Sequence, residues 1–315
     1  MSGMHRNRIN RSKPKRYPDS PRLKGMSFQR MVQLVSAVLV NGYLVGFQKG
    51  KIYTGGTKAV CVPVLNCYSC PGALGACPIG ALQTAVGGIR GHFPFYVMGS
   101  LMLFGIILGR VACGFLCPFG LVQDLLYKIP VPKPEAGPKL KKADRTARYL
   151  KYVILAAAVI LLPAFAVTKS GVRPPYFCKY ICPAGTLGGG LTLMAGNPAL
   201  RELAGPLFLW KILVLIAVLA AAIFISRPFC RYLCPLGAFY GLFNRFSFFQ
   251  MSLNKDRCVG CKKCEHVCPM AVEVTENINS PECIRCGKCK AVCPAGAISS
   301  GLVQSPKQSR EDMAK

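Results

Sequence analysis

Histidine and acidic residues are scarce in this sequence: 315 residues carry 3 His and 12 Asp+Glu, with a single Trp. So thin a supply of proton-handling side chains leaves little room for general acid–base catalysis. His5, His92 and His266 have no acidic partner in a recognisable motif. Also missing are a C-x-x-C-H haem site, a G-x-G-x-x-G dinucleotide turn and a G-x-x-x-x-G-K-[ST] phosphate loop. Gly55-Gly56-Thr57 and Gly188-Gly189-Gly190 read as flexible loops rather than phosphate cradles.

Positive charge, apolar surface and cysteine are plentiful. The chain has 40 Lys+Arg, a net charge of +28, 52% hydrophobic residues and 18 Cys, with a mean hydropathy of +0.35. Such a charge raises the question of nucleic acid, but nucleic-acid binders keep their charge on soluble domains, not beside long apolar runs. The chain is also far too long for a disulfide-stapled mini-domain.

Four segments have the composition of membrane helices: about Met31 to Phe47, Phe93 to Gly109, Tyr149 to Val167 and Leu207 to Ile225. A hydrocarbon core takes roughly 17–25 apolar residues, which the first two reach only if Gly, Asn and Ser are allowed inside. Arg30, Arg110, Lys151 and Lys211 flank the spans and can snorkel, and Trp210 sits where an interfacial anchor belongs. Four buried helices of a soluble domain are the competing reading, which Ile212 to Ile225, with no polar face, opposes. Lys+Arg number 9 before the first span, then 4, 8 and 4 between spans, with Lys151 and Lys211 just inside the third and fourth, and 13 after the last. Positive-inside logic places both termini and the Arg110–Lys151 segment in the cytoplasm, with residues 48–92 and 168–206 outside. The polybasic stretch Arg6–Lys24 is then a retention and lipid-facing arm rather than an RNA-binding tail. With no small-residue cleavage site after it, the first apolar run is read as a retained helix.

The C-terminal region repeats C-x2-C-x2-C-x3-C-P, as Cys258, Cys261, Cys264 and Cys268 and again as Cys283, Cys286, Cys289 and Cys293. Three thiolates at this spacing wrap a tight loop around three irons of a cubane, and the fourth reaches the other cluster. On that rule Cys258, Cys261, Cys264 and Cys293 hold one [4Fe–4S] cluster, and Cys283, Cys286, Cys289 and Cys268 hold the second. Zinc has no use for the third Cys and the Pro repeated in both halves. His266, inside the first run, is read as a helix-surface residue. The stretch resembles a bacterial-type ferredoxin over residues 254–300, but between Lys255 and Ser300 it has 7 Lys+Arg against 5 acidic residues. Lys262, Lys263, Lys288 and Lys290 either offset the clusters or steer an acidic redox partner, such as a soluble ferredoxin or flavodoxin.

The other ten cysteines follow a second pattern. C-x3-C-P-x-G occurs after an arginine at Cys113/Cys117, Cys178/Cys182 and Cys230/Cys234, and Cys67, Cys70 and Cys77 form a looser version with the same ending. Cys113, Cys117, Cys230 and Cys234 fall at the cytoplasmic ends of the second and fourth spans and suit one [4Fe–4S] cluster. Among the outer six, Cys178 and Cys182 are expected to join Cys77 and Cys70, the last two because Pro follows each; Cys67 is the next choice and Cys61 the expected non-ligand. Disulfides on the outer side are the competing reading there.

These loops, followed by a two-cluster ferredoxin tail, resemble the NapH/NosR/CcoG group of membrane-bound polyferredoxins over residues 28–300. The third C-x3-C-P and the Cys-rich loop at 61–77 go beyond the two-motif pattern of some members, and no flavin-attachment stretch of the NosR type is present. The resemblance implies iron–sulfur centres that carry electrons from a cytoplasmic or quinol donor to an acceptor across the membrane. The expected architecture is an α-helical integral membrane domain of about four transmembrane helices in a two-fold repeated unit, plus a small α+β ferredoxin domain. Its parts are a basic cytoplasmic tail (1–26), the membrane domain (27–250), the ferredoxin domain (251–300) and a flexible tail (301–315). The protein is expected in the cell membrane, multi-pass, with lipid and redox proteins on both faces as partners and no nucleic acid. A quinol dehydrogenase or copper reductase is the rival, for which Asp124 and His92 are the weak proton-accepting candidates. A hydrocarbon core of roughly 30 Å is a long gap for terminal clusters, so the loops must dip inward or a homodimer partner must supply an intermediate site.

Overall fold

The structure, a computed structural model, describes residues 28–88, 94–132, 138–168 and 173–302, at 138–141 the backbone alone. The basic arm Arg6–Lys24, His92 and the tail beyond 302 lie outside the described residues. Two helices are long and apolar enough to cross a membrane, Lys142–Phe165 with 24 residues and Pro206–Phe224 with 19. Two shorter apolar helices, Phe28–Val40 and Phe95–Leu108, have 13 and 14 residues, or about 20 Å each at ~1.5 Å per residue.

The first apolar run is broken where the sequence reading has it continuous. Its helix stops at Val40 and a second begins at Leu44. In between, the loop 66–74 takes over the backbone pairing: the Leu74 N–H donates to the Val40 carbonyl at 3.0 Å and the Tyr43 N–H to that of Gly72 at 3.2 Å. The helix Phe28–Val40 is also inside-out. It buries Gln29, Gln33 and Ser36, whose side chains donate to the Gly114 and Leu116 carbonyls, while Phe28, Val38 and Leu39 face outward.

Four of the Cys-Pro pairs start a helix. Cys77, Cys117, Cys182 and Cys234 are extended N-caps, and Pro78, Pro118, Pro183 and Pro235 are the first helical residues. Proline suits that position because its ring pre-sets φ and the missing N–H has no partner there in any case. The motif's glycine then completes two of the caps: the Gly185 N–H donates to Cys182 Sγ at 3.3 Å and the Gly237 N–H to Cys234 Sγ at 3.4 Å. Gly188 to Gly190 lie inside the helical segment Thr186–Leu191, not in a loop.

The C-terminal module has two one-turn helices, Lys263–His266 and Lys288–Ala291, and an antiparallel pair of strands, Phe249–Leu253 with Ile298–Leu302. Left-handed residues recur in its two halves as Gly260 and Arg285, Lys262 and Gly287, and Ala271 and Gly296. Each pair is separated by the same interval as Cys258 and Cys283, so the loop geometry is duplicated along with the cysteines.

Candidate metal centres

In the C-terminal module the backbone turns bring cysteines from both runs together. Cys268, Cys283, Cys286 and Cys289 line one pocket, and Cys258, Cys261, Cys264 and Cys293 line another. Each crossing thiol accepts a backbone hydrogen bond, from Val272 to Cys268 Sγ at 3.4 Å and from Ala297 to Cys293 Sγ at 3.3 Å. Cys261 is exposed at the surface. His266 is exposed at the end of its short helix.

A buried ion-pair network docks this module onto the helices. Glu282, next to Cys283, accepts from Arg110 at 3.1 Å and from Lys151, and both cationic side chains are fully buried. The Ile284 carbonyl lies so close to Gly114 that a Cβ there would stand 2.5 Å from it. Asn244 donates to the Ser280 and Cys283 carbonyls at 2.7 and 2.8 Å. Burial opposes the charge on Glu282, but Arg110 and Lys151 more than offset it and hold the carboxyl below its ordinary value.

Above that contact lie Cys113, Cys117, Cys230 and Cys234, all buried and mutually interacting. Two arginines brace the set reciprocally: Arg227 Nη1 donates to the Cys113 carbonyl at 2.8 Å and Arg110 Nη2 to the Cys230 carbonyl at 3.3 Å. Arg227 also grips Asp124 through both carboxylate oxygens, at 2.8 and 2.6 Å. Burial pushes the Asp124 carboxyl up, but the Arg227 hydrogen bonds and charge outweigh it and hold it below the ordinary value. Asp124 is thus a bound counter-ion for Arg227, poorly suited to accepting a proton.

The second buried set differs from the sequence expectation in one member. Cys67, rather than Cys70, faces Cys77, Cys178 and Cys182. A Cβ on Gly185 would stand 3.5 Å from Cys67 Sγ and 3.6 Å from Cys182 Sγ. The Cys70 thiol lies 3.6 Å from Asn41 Oδ1 and 3.8 Å from where a Cβ on Gly188 would stand, and Cys67 rather than Cys70 acts on Cys178. Ala73, four residues before Cys77, occupies the position at which the i, i+4 spacing of the other motifs has a cysteine. Cys61 is buried beside Ala76, outside both sets.

The two buried sets are close neighbours. The Leu65 backbone amide faces the Cys117 thiol, and Cys67 is two residues further on, at most about 7 Å of extended chain. Tyr240, fully buried and with no partner for its hydroxyl, has Cys113, Cys234, Cys77 and Cys61 around it. The loop 61–77 therefore dips into the helices, its Val64, Leu65 and Ala73 buried to 3% exposure or less.

The donor chemistry fits iron–sulfur clusters. Both buried sets are all thiol, and among the described residues no three His, Cys, Asp or Glu converge tightly enough for a single ion; a cubane spreads its four thiolates over four irons. Burial, with the other thiols adding, pushes Cys77 up to about 12 and Cys178, likewise by burial, to about 11. Four such thiolates need a compensating positive core, which a cluster supplies. Sequence reasoning missed Gln83 and Gln123, both fully buried against these sets; the available signal was a glutamine six residues after the cysteine in two of the four C-P-x-G motifs that precede the C-terminal module.

Residues 75–96, 91–136, 155–198 and 207–255 match a family described as a 4Fe-4S binding domain, and residues 250–294 one described as a 4Fe-4S dicluster domain. The chain is 34% identical over 181 residues to the uncharacterized protein MJ0750 of Methanocaldococcus jannaschii, covering 56% of this chain and 66% of that protein. It is 32% identical over 200 residues to the methylamine utilization ferredoxin-type protein MauN of Paracoccus denitrificans, covering 61% and 60% respectively. To the ferredoxin-type protein NapH of Escherichia coli it is 26% identical over 198 residues, covering 61% and 59%. The chain thus spans about three fifths to two thirds of these relatives. No solved structure matches it significantly.

Proposed function

The chain belongs to the NapH-like polyferredoxins, and on that footing we propose that it carries electrons through a membrane along a line of four cysteine sets. Bound [4Fe–4S] clusters supply one-electron, outer-sphere redox chemistry in which no substrate bond is made or broken. Cys258, Cys261, Cys264 and Cys293 hold the outermost site, where exposed Cys261 meets the cytoplasmic donor. Cys283, Cys286, Cys289 and Cys268 hold the next, docked by Glu282 on Arg110. Cys113, Cys117, Cys230 and Cys234 follow, and Cys67, Cys77, Cys178 and Cys182 form the last.

The observation that carries this reading is the continuity of the file, with Glu282–Arg110 joining the second set to the third and Leu65–Cys67 joining the third to the fourth. The inside-out helix Phe28–Val40 supports a four-helix, multi-pass membrane domain, because an apolar outer face over a polar inner one suits lipid and not water. Outward-facing Phe95, Leu103, Val153, Phe165, Leu209 and Leu213 extend that belt over the other three helices. Both termini lie on the cytoplasmic side by charge, and the lysines around Cys261 favour an acidic donor. Asp124, locked to Arg227, speaks against a quinol-oxidising site built on it. Liposomes holding the protein, with a reduced donor outside and a redox dye trapped inside, test the conduit. Dye reduction is expected; its absence, or a requirement for quinol, would overturn this reading.

A further inference from the structure

Gln83 and Gln123 stand at equivalent places in the two buried sites. Each lies six residues beyond a Cys-Pro cysteine, in the helices Pro78–Gly87 and Pro118–Leu126, and each is fully buried. Gln83 Nε2 donates to Cys178 Sγ at 3.2 Å, and Gln123 Nε2 to Cys230 Sγ at the same distance. Gln83 Oε1 accepts the Phe177 N–H at 2.9 Å, and Gln123 Oε1 the Phe229 N–H at 3.1 Å, in both cases from the residue just before the cysteine it touches. The second amide hydrogen goes to the carbonyl four residues back, Ile79 at 3.1 Å and Phe119 at 3.3 Å.

This pattern fixes the amide orientation, which electron density or packing alone leaves ambiguous. Phe177 and Phe229 present donors, so the oxygen must face them; the Ile79 and Phe119 carbonyls are acceptors, so the nitrogen must face those. The remaining N–H then points at sulfur. The other two C-P-x-G motifs of the buried sites have Gly188 and Tyr240 at the same offset, so each site receives one glutamine, aimed across the site at the first thiol of the opposite arm.

Resting on the cluster assignment above, we infer that Gln83 and Gln123 are a matched pair of positioning residues that orient Cys178 and Cys230 and set the reduction potentials of the two buried centres. An N–H dipole aimed at a ligand sulfur favours the more negative, reduced state, so it raises the potential. Each glutamine acts on one centre only, which lets the two potentials be set independently although the sites are neighbours.

The test uses the full chain with its clusters in place, by redox titration monitored by electron paramagnetic resonance, with resonance Raman of the iron–thiolate stretches. Gln123→Met is expected to lower the potential and shift the iron–thiolate bands of one centre, Gln83→Met those of a different centre, with both ferredoxin centres unmoved. Gln→Glu at either position keeps the acceptor for the Phe N–H and is expected to make that one potential pH-dependent; it serves where the methionine variant loses iron. Unchanged potentials at full iron content, or both substitutions moving the same centre, would overturn the inference alone. About eight rather than about sixteen irons per wild-type chain, by the four-per-cluster arithmetic, would overturn the buried-cluster assignment and the inference with it.

Discussion

Cys67 and Cys70 sit three residues apart on one turn, yet Cys67 joins the buried thiol set and Cys70 does not. Cys67→Ala is expected to remove one spectroscopic centre and its share of iron, whereas Cys70→Ala leaves the iron content intact; equal losses would contradict the placement. Asp124 shows what a single carboxylate does for a buried cation. Its native pKa is lowered, so its stabilisation is complete above the ordinary aspartate range near pH ~4 and is lost as pH falls through the lowered native value. Asp124→Asn should flatten that acid limb in thermal melts and cost a few kcal/mol at neutral pH, as Arg227 is left buried and unpaired, by roughly 3–5 kcal/mol for a broken buried pair.

At the scale of elements, the recurring unit is a Cys-Pro helix start facing a second one across a thiol set. The same unit sets how the ferredoxin module attaches: the loop 280–285 replaces solvent at the helix ends around Arg110, with Asn244 and Gly114 shaped to receive its backbone. Glu282→Gln leaves Arg110 and Lys151 buried without their counter-charge, so it is expected to loosen the docking by roughly 3–5 kcal/mol. Limited proteolysis should then release the module from chains in which its own clusters keep their spectra. A variant as resistant as the wild type would show that the ion pairs do not hold the docking.

For the whole molecule, charge and apolar surface divide the work. The net charge of +28 sits on the same chain as four apolar helices, and on the reading proposed above the lysines near exposed Cys261 steer an acidic donor. Reduction of the protein by such a donor is expected to slow as ionic strength rises from about 0.01 to 1 M, over which screening shortens from ~30 to ~3 Å; a salt-independent rate would remove the steering role. On the membrane reading proposed above, the in-dipping loop 61–77 shortens the gap posed by a hydrocarbon core of roughly 30 Å, since it brings the fourth set beside the third within one chain.

By itself the sequence determined the chemistry and the parts. Cysteine spacing specifies clusters because three thiolates within a short loop have few other uses, and C-P-x-G favours a helix start because proline pre-sets the first helical turn, although Cys293-Pro-Ala-Gly296 in the C-terminal module forms a turn instead. Both are local effects, legible without a fold. Tertiary structure alone decided which thiol completes the last set, that Asp124 is a counter-ion, where the first apolar helix breaks, and that Gln83 and Gln123 reach sulfur on another arm. Those outcomes depend on contacts between residues about 30 to 110 positions apart, and neither spacing nor periodicity records which distant groups chain folding brings within hydrogen-bond reach.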